Sequence, residues 1–182
     1  MKFENWKLDT IENVLPEEFF NLVKNNKKHI EKTFPVTVSK CLDLGNTKKL
    51  FIDNLNKINK KENHFFYIRN NETKRLIGYI NVKNIKLEIL KCELAYFIDK
   101  DFEGQGIISK AVSQTIDFCF NELKMNKIFI CTSKINKGSQ QIAIKHNFQQ
   151  EGILREEFRN NEDILEDVVY FGLLKSDYNN ER

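Results

Sequence analysis

Glu103-Gly104-Gln105-Gly106 lies between an apolar run ending at Asp99 and an amphipathic stretch reaching about Leu123, and the reading of this turn decides the fold. A glycine-rich turn from a strand into a helix leaves several backbone N–H groups unpaired where the aligned peptide dipoles add partial positive charge. Such a turn can hold a phosphate or pyrophosphate. Its two glycines also let an anion approach the main chain with no Cβ in the way. The same pair serves equally as a plain turn that needs positive φ, so the tetrapeptide alone leaves both readings open. A dinucleotide fingerprint would add a small residue at Ser109, which is present, and an acid at the end of a second strand, whereas Glu122 falls near the end of the helix itself. A Walker loop would need Gly-Lys-Ser/Thr, which is missing. What remains is a loop able to grip the phosphates of a ligand lying across a sheet.

Downstream of the turn, Ile107, Ile108, Ala111, Val112, Ile116, Cys119, Phe120 and Leu123 form a helical stripe that must pack on a sheet. Lys127 to Thr132 is the next strand, and a helix crossing over to it makes it parallel to the strand before the turn. Gly138 to His146 reads as a shorter helix, and Phe148 to Leu154 and Leu165 to Leu174 as closing strands. Upstream, His64 to Arg69, Leu76 to Val82 and Glu88 to Ile98 predict an antiparallel meander with a turn at Asn70-Asn71. A short strand at Leu8 to Thr10 leads into a helix capped by Asn13 with Pro16 in its first turn. Thr47 to Lys60 is a second helix, and Thr33 to Gly45, with Pro35 and Gly45 as breakers, is expected to be an irregular loop beside a substrate pocket.

With 182 residues, the chain is sized for one domain, residues 1–182. Apolar residues at 41% and charged ones at 30% describe a globular protein, and a net charge of +3 is too small to imply nucleic-acid binding. The lysines near Asn25 to Lys28 and Lys57 to Lys61 read as solvated helix ends. No apolar run approaches the ~18–20 residues of a membrane span, and the first residues lack a signal-peptide core, so a cytoplasmic protein is expected. Cys41, Cys92, Cys119 and Cys131 are widely separated, as are His29, His64 and His146, so reduced thiols and no metal site are expected.

Leu94-Ala95-Tyr96-Phe97-Ile98-Asp99, Phe102 to Ser109, Asn136-Lys137-Gly138-Ser139, His146-Asn147-Phe148, Glu151-Gly152 and Glu166 to Tyr170 together resemble the GNAT acyltransferases, more closely the RimJ/RimL-type branch that acetylates N-termini of ribosomal proteins. The likeness covers residue 64 to the C-terminus well and the first third loosely. It implies an α+β fold with a mixed, mostly antiparallel sheet of about seven strands, a central parallel pair that splays, and helices on both faces. It implies acetyl-CoA as co-substrate, bound by Glu103, Gly104, Gln105, Gly106, Ile107, Ile108, Ser109 and Lys110. The main chain at Phe97 and Ile98 would pair with the pantetheine arm, with Asn136 and Ser139 near its sulfur end. The family favours Gln or Arg at position 103 and a small residue at 108. Glu103 is therefore expected to point to solvent while backbone amides bind. Asn147 replaces a usual glycine and, among non-glycine residues, best tolerates the left-handed conformation.

The resemblance implies acetyl transfer to an amine. Glu93 is the candidate general base through water, or else a solvent-facing strand carboxylate; Ser139 is the candidate proton donor to the departing thiolate, or, like Asn136, a helix cap. Tyr96 and Tyr170 read as core or pocket wall. Glu166 and Asp167 either orient a cationic amine or are simply solvated. The expected acceptor is a protein N-terminus, with a small amine such as a polyamine or an aminoglycoside-like compound as the second reading and a non-catalytic CoA-binding sensor as the third. Neither nucleic acid nor membrane is an expected partner, and a homodimer is allowed for.

Overall fold

The computed structural model describes residues 5–179. Strand β1 (Trp6–Thr10) is followed by α1 (Pro16–Asn25), α2 (Lys27–Ile30), α3 (Pro35–Lys40) and α4 (Leu44–Asn59). Then come β2 (His64–Asn70), β3 (Leu76–Lys86), β4 (Lys91–Ile98), α5 (Ile107–Asn121) and β5 (Lys127–Ser133). The chain closes with α6 (Lys137–Lys145), β6 (Gln149–Arg159), β7 (Leu165–Leu174) and α7 (Lys175–Asn179). The seven strands hydrogen-bond in the order β1-β2-β3-β4-β5-β7-β6. The β4–β5 pair is parallel, as the crossing helix requires, and β5 with β7 and β7 with β6 are antiparallel. Among the described residues no helix is long and apolar enough to cross a membrane.

Two compact units share this chain, one formed by residues up to Asn81 with Tyr96–Ala111, the other by Val82–Ala95 with the residues from Val112 on. The first is centred on aromatic rings: Phe19 on α1 lies 5.0 Å from Tyr79, 5.4 Å from Tyr67 and 5.9 Å from Phe51. Burying each such side chain contributes about 1.5–3 kcal/mol. Arg69 ties the polar side of this unit together, reaching Asp9 on β1, Glu18 on α1 and the carbonyls of Lys74 and Asn13. In the second unit, α5 buries Val112, Ile116, Cys119 and Phe120, and Ile128, Ile130, Phe171 and Leu173 of β5 and β7 are likewise buried.

Three local expectations change. Asn13 is not the cap of α1; it ends a 3₁₀ turn, and Leu15 takes the cap position with its N–H donating to Glu18 Oε2 at 2.9 Å. The segment from Thr33 to Gly45 is not an irregular loop. Pro35 opens α3, because a first-turn residue has no intrahelical use for the N–H that proline lacks. Asp43 caps α4 by accepting the Asn46 N–H at 2.7 Å, so the helix starts before Thr47 and takes Gly45 into its first turn. The turn at Asn70-Asn71 is present: the Asn70 side chain accepts the N–H groups of Glu72 and Thr73 at 2.9 and 2.8 Å.

Candidate active site

In the first unit, the glycine turn leads directly into α5. Gly104 and Gly106 have φ of 70° and 75°, and a Cβ built on either meets nothing within 4 Å. The glycines are therefore needed for their backbone conformation, and the space over them is open to a ligand. Lys110 N–H donates to the Gly106 carbonyl at 3.1 Å, which puts Gly106 at the N-terminal end of α5, where the positive end of the helix dipole lies. Gln105 folds back onto the Asp101 carbonyl at 3.1 Å, while Ser109 is buried and Ile107 and Ile108 are half-buried. The Glu103 carboxylate is exposed, as expected, and lies 3.2 Å from His29 Nε2.

Phe97 and Ile98 are buried at the end of β4. Asp99 N–H donates to the Ile77 carbonyl at 2.7 Å, and the Phe97 carbonyl lies against Gly78, so Phe97 and Asp99 turn their main chains toward β3. Successive residues of a strand alternate their backbone groups between its two edges, so Ile98 turns its main chain away from β3. The Phe97 ring itself packs 5.1 Å from Phe34 and 5.7 Å from Tyr79.

In the second unit the β4–β5 register covers three residue pairs, Lys91 with Lys127, Cys92 with Ile128 and Glu93 with Phe129. Glu93 thus stands at the last registered pair. It is not a solvent-facing carboxylate: it is 6% exposed, with Lys83 Nζ 3.0 Å from Oε1 and Asn84 Nδ2 donating to Oε2 at 2.6 Å. Burial, reinforced by the negative charge of Glu93, pushes the Cys131 thiol up to about 12, so it is neutral near pH 7. Burial likewise pushes Tyr170 up to about 12, with Cys131, Glu151 and Glu93 adding to the effect. Tyr170 stacks on Phe129 at 4.9 Å and opposes Cys131 across the β5–β7 pair. Glu151 pairs with Lys127 and occupies the space where a Cβ at position 172 would sit, which accounts for Gly172.

Asn136 is the cap of α6, its side chain accepting the Ser139 N–H at 3.1 Å. Ser139 itself is the third helical residue and is half-buried, so the capping task falls to Asn136. Asn147 has φ of 60°, the left-handed conformation expected of it. Glu166 and Asp167 are engaged within the unit: Glu166 accepts from Ser133 Oγ at 2.9 Å and Asn160 Nδ2 at 2.6 Å. Asp167 pairs with Lys134 at 2.8 Å and accepts the Glu156 N–H, and these contacts hold it below the usual carboxylate range. The sequence reading missed Lys83 and Asn84 as partners of Glu93; their adjacency on one strand gave no signal that both would reach the same carboxylate.

Residues 12–149, more than half of the chain, match the family described as the acetyltransferase (GNAT) domain, and the chain belongs to that family. It is 35% identical over 107 residues to YdaF of Bacillus subtilis (strain 168), a stretch covering 59% of this chain and 58% of that protein. It is 33% identical over 94 residues to the ribosomal-protein-serine acetyltransferase of Escherichia coli (strain K12), covering 51% of each. The fold is shared with spermidine N-acetyltransferase from Vibrio cholerae, solved in complex with CoA and spermine, at a TM-score of 0.80 and 22% identity, covering 97% of this chain and 99% of that one.

Proposed function

We propose that this protein transfers acetyl from acetyl-CoA to the N-terminal α-amine of a protein. The observation that carries the reading is the buried carboxylate of Glu93, held by two donors at the last registered β4–β5 pair. The open glycine turn supports acetyl-CoA as donor: the main chain of the turn at Gly104 to Gly106 and the start of α5 hold the pyrophosphate, and the Ile98 main chain pairs with the pantetheine arm. Acetyl-CoA supplies the activated acetyl group. Glu93 takes the amine proton through water, and Ser139 passes a proton to the sulfur as the C–N bond forms and the C–S bond breaks, regaining one from solvent water as it does so. Asn136 fixes the first turn of α6, on which Ser139 sits. Kinship with a ribosomal-protein-serine acetyltransferase favours a protein acceptor.

Intact-mass analysis tests this reading after incubation with acetyl-CoA and either ribosomal proteins or a panel of small amines. A gain of one acetyl group at a protein N-terminus is expected. Acetylation of spermidine alone would move the acceptor to small amines, and tight CoA binding with no acetylated product would make the protein a sensor.

Two variants probe separate parts of the scheme. Gly106→Val places a branched side chain at positive φ and over the open face, and should weaken acetyl-CoA binding by about tenfold or more. Unchanged affinity by calorimetry, with native circular dichroism, would remove the turn from the binding site. Ser139→Ala should lower kcat by up to ~100-fold with little change in KM for acetyl-CoA, as loss of a proton donor acts in the transition state. Wild-type turnover would reduce Ser139 to a helix residue.

A further inference from the structure

A regular strand sends successive side chains to opposite faces, so Lys83 and Asn84 of β3 should point apart. Instead both reach one carboxylate, Lys83 at 3.0 Å from Glu93 Oε1 and Asn84 at 2.6 Å from Oε2. The cause is local: Asn84 has φ of 51° inside a strand running from Leu76 to Lys86. That left-handed residue breaks the alternation and brings two neighbours to the same side. Position 84 thus has two requirements, a residue at ease with positive φ and a side-chain donor of the right reach. Asparagine meets both, whereas glycine meets only the first.

We propose that Lys83 and Asn84 are positioning residues that lock the Glu93 carboxylate in the orientation in which it receives the acceptor's proton; this rests on the reading of Glu93 as base. Each carboxylate oxygen offers two lone-pair sites, so after accepting one donor apiece both oxygens keep a site for a water. Two anchors on different oxygens stop rotation about the terminal torsion, which is otherwise soft. The ammonium of Lys83 also balances a charge that is almost completely buried. Backbone conformation, hydrogen bonding and charge converge on this single side chain.

Steady-state acetylation of the amine identified by intact mass tests the proposal. Asn84→Gly, which keeps the backbone and loses the donor, and Lys83→Met, which keeps the stem and loses the charge, should each lower kcat about tenfold with KM for acetyl-CoA unchanged. Lys83→Arg should restore most of the lost rate. Neither change should reduce the rate further in a Glu93→Gln background, because a positioning residue has nothing left to position there. Wild-type kcat in both single variants, or equal losses in the Glu93→Gln background, would overturn the proposal while leaving Glu93 as base. A full rate in Glu93→Gln alone, or no acetylated amine with the wild-type protein, would remove the base reading and this inference with it.

Discussion

Glu93→Gln is expected to lower kcat about 100-fold at neutral pH while acetyl-CoA affinity stays at its wild-type value. Glutamine keeps the length and volume of the side chain but cannot accept a proton. It also presents one oxygen and one NH₂ where the carboxylate presented two acceptors, so it satisfies either Lys83 or Asn84 but not both. The size of the loss bears on the acceptor. An α-amine has an ordinary pKa near about 7.7–8.0 and a lysine near about 10.4, so an N-terminal acceptor needs less help in shedding its proton. A loss of ~100-fold or less, with rate climbing toward alkaline pH, fits an α-amine, whereas a much larger loss would point to a lysine-type amine. An undiminished rate would place the base elsewhere.

Arg69→Met should destabilise the fold by about 3 kcal/mol, lowering the melting midpoint by roughly 10 °C. Arg69 is 9% exposed, and the methionine would leave Asp9, 4% exposed, with the ion pair to Lys7 at 2.8 Å as its one remaining charged partner among the described residues. The carbonyls of Lys74 and Asn13 would lose their donor as well. The pH dependence follows from Glu18, whose carboxyl Arg69 holds below its ordinary range. A depressed carboxylate contributes stability that is fully present above its unfolded pKa and is lost as pH falls through the folded one. The wild-type protein should therefore lose this contribution on acidification below about pH 4.5, and the variant should lose less over the same interval. Denaturant titrations at neutral and acid pH measure both effects, and a melting midpoint within a degree or two of wild type would show that the Arg69 network contributes little.

The parts of the fold legible in the sequence were those set by local periodicity. The glycine turn, the apolar stripe of α5 and the apolar run of β5 define a parallel pair without any knowledge of what surrounds them. The region around Pro35 and Gly45 reads as a loop because proline and glycine usually break helices, whereas Pro35 opens α3 at a position that needs no N–H and Asp43 caps α4 with Gly45 inside its first turn. Arg69 carried no signal at all, since Asp9 and Glu18 lie 60 and 51 positions from it. Within the candidate site, the family resemblance pointed to Glu93 but left its surroundings open. One of its two partners, Asn84, is a left-handed residue within β3, a torsion that hydrophobic patterning does not encode.

Strand β6 ends the hydrogen-bonded order, and its outer edge bears on how the protein behaves when crowded. An exposed strand edge is a template on which a neighbouring chain can extend the sheet. Here the register slips between Gln150 and Gly152 and again between Leu154 and Phe158, so the edge offers no long, evenly spaced row of donors and acceptors. Arg155, Glu156, Glu157 and Arg159 are exposed around the second slip and would have to shed water before another strand could join. The irregularity of β6 thus disfavours growth of the sheet from molecule to molecule through that edge.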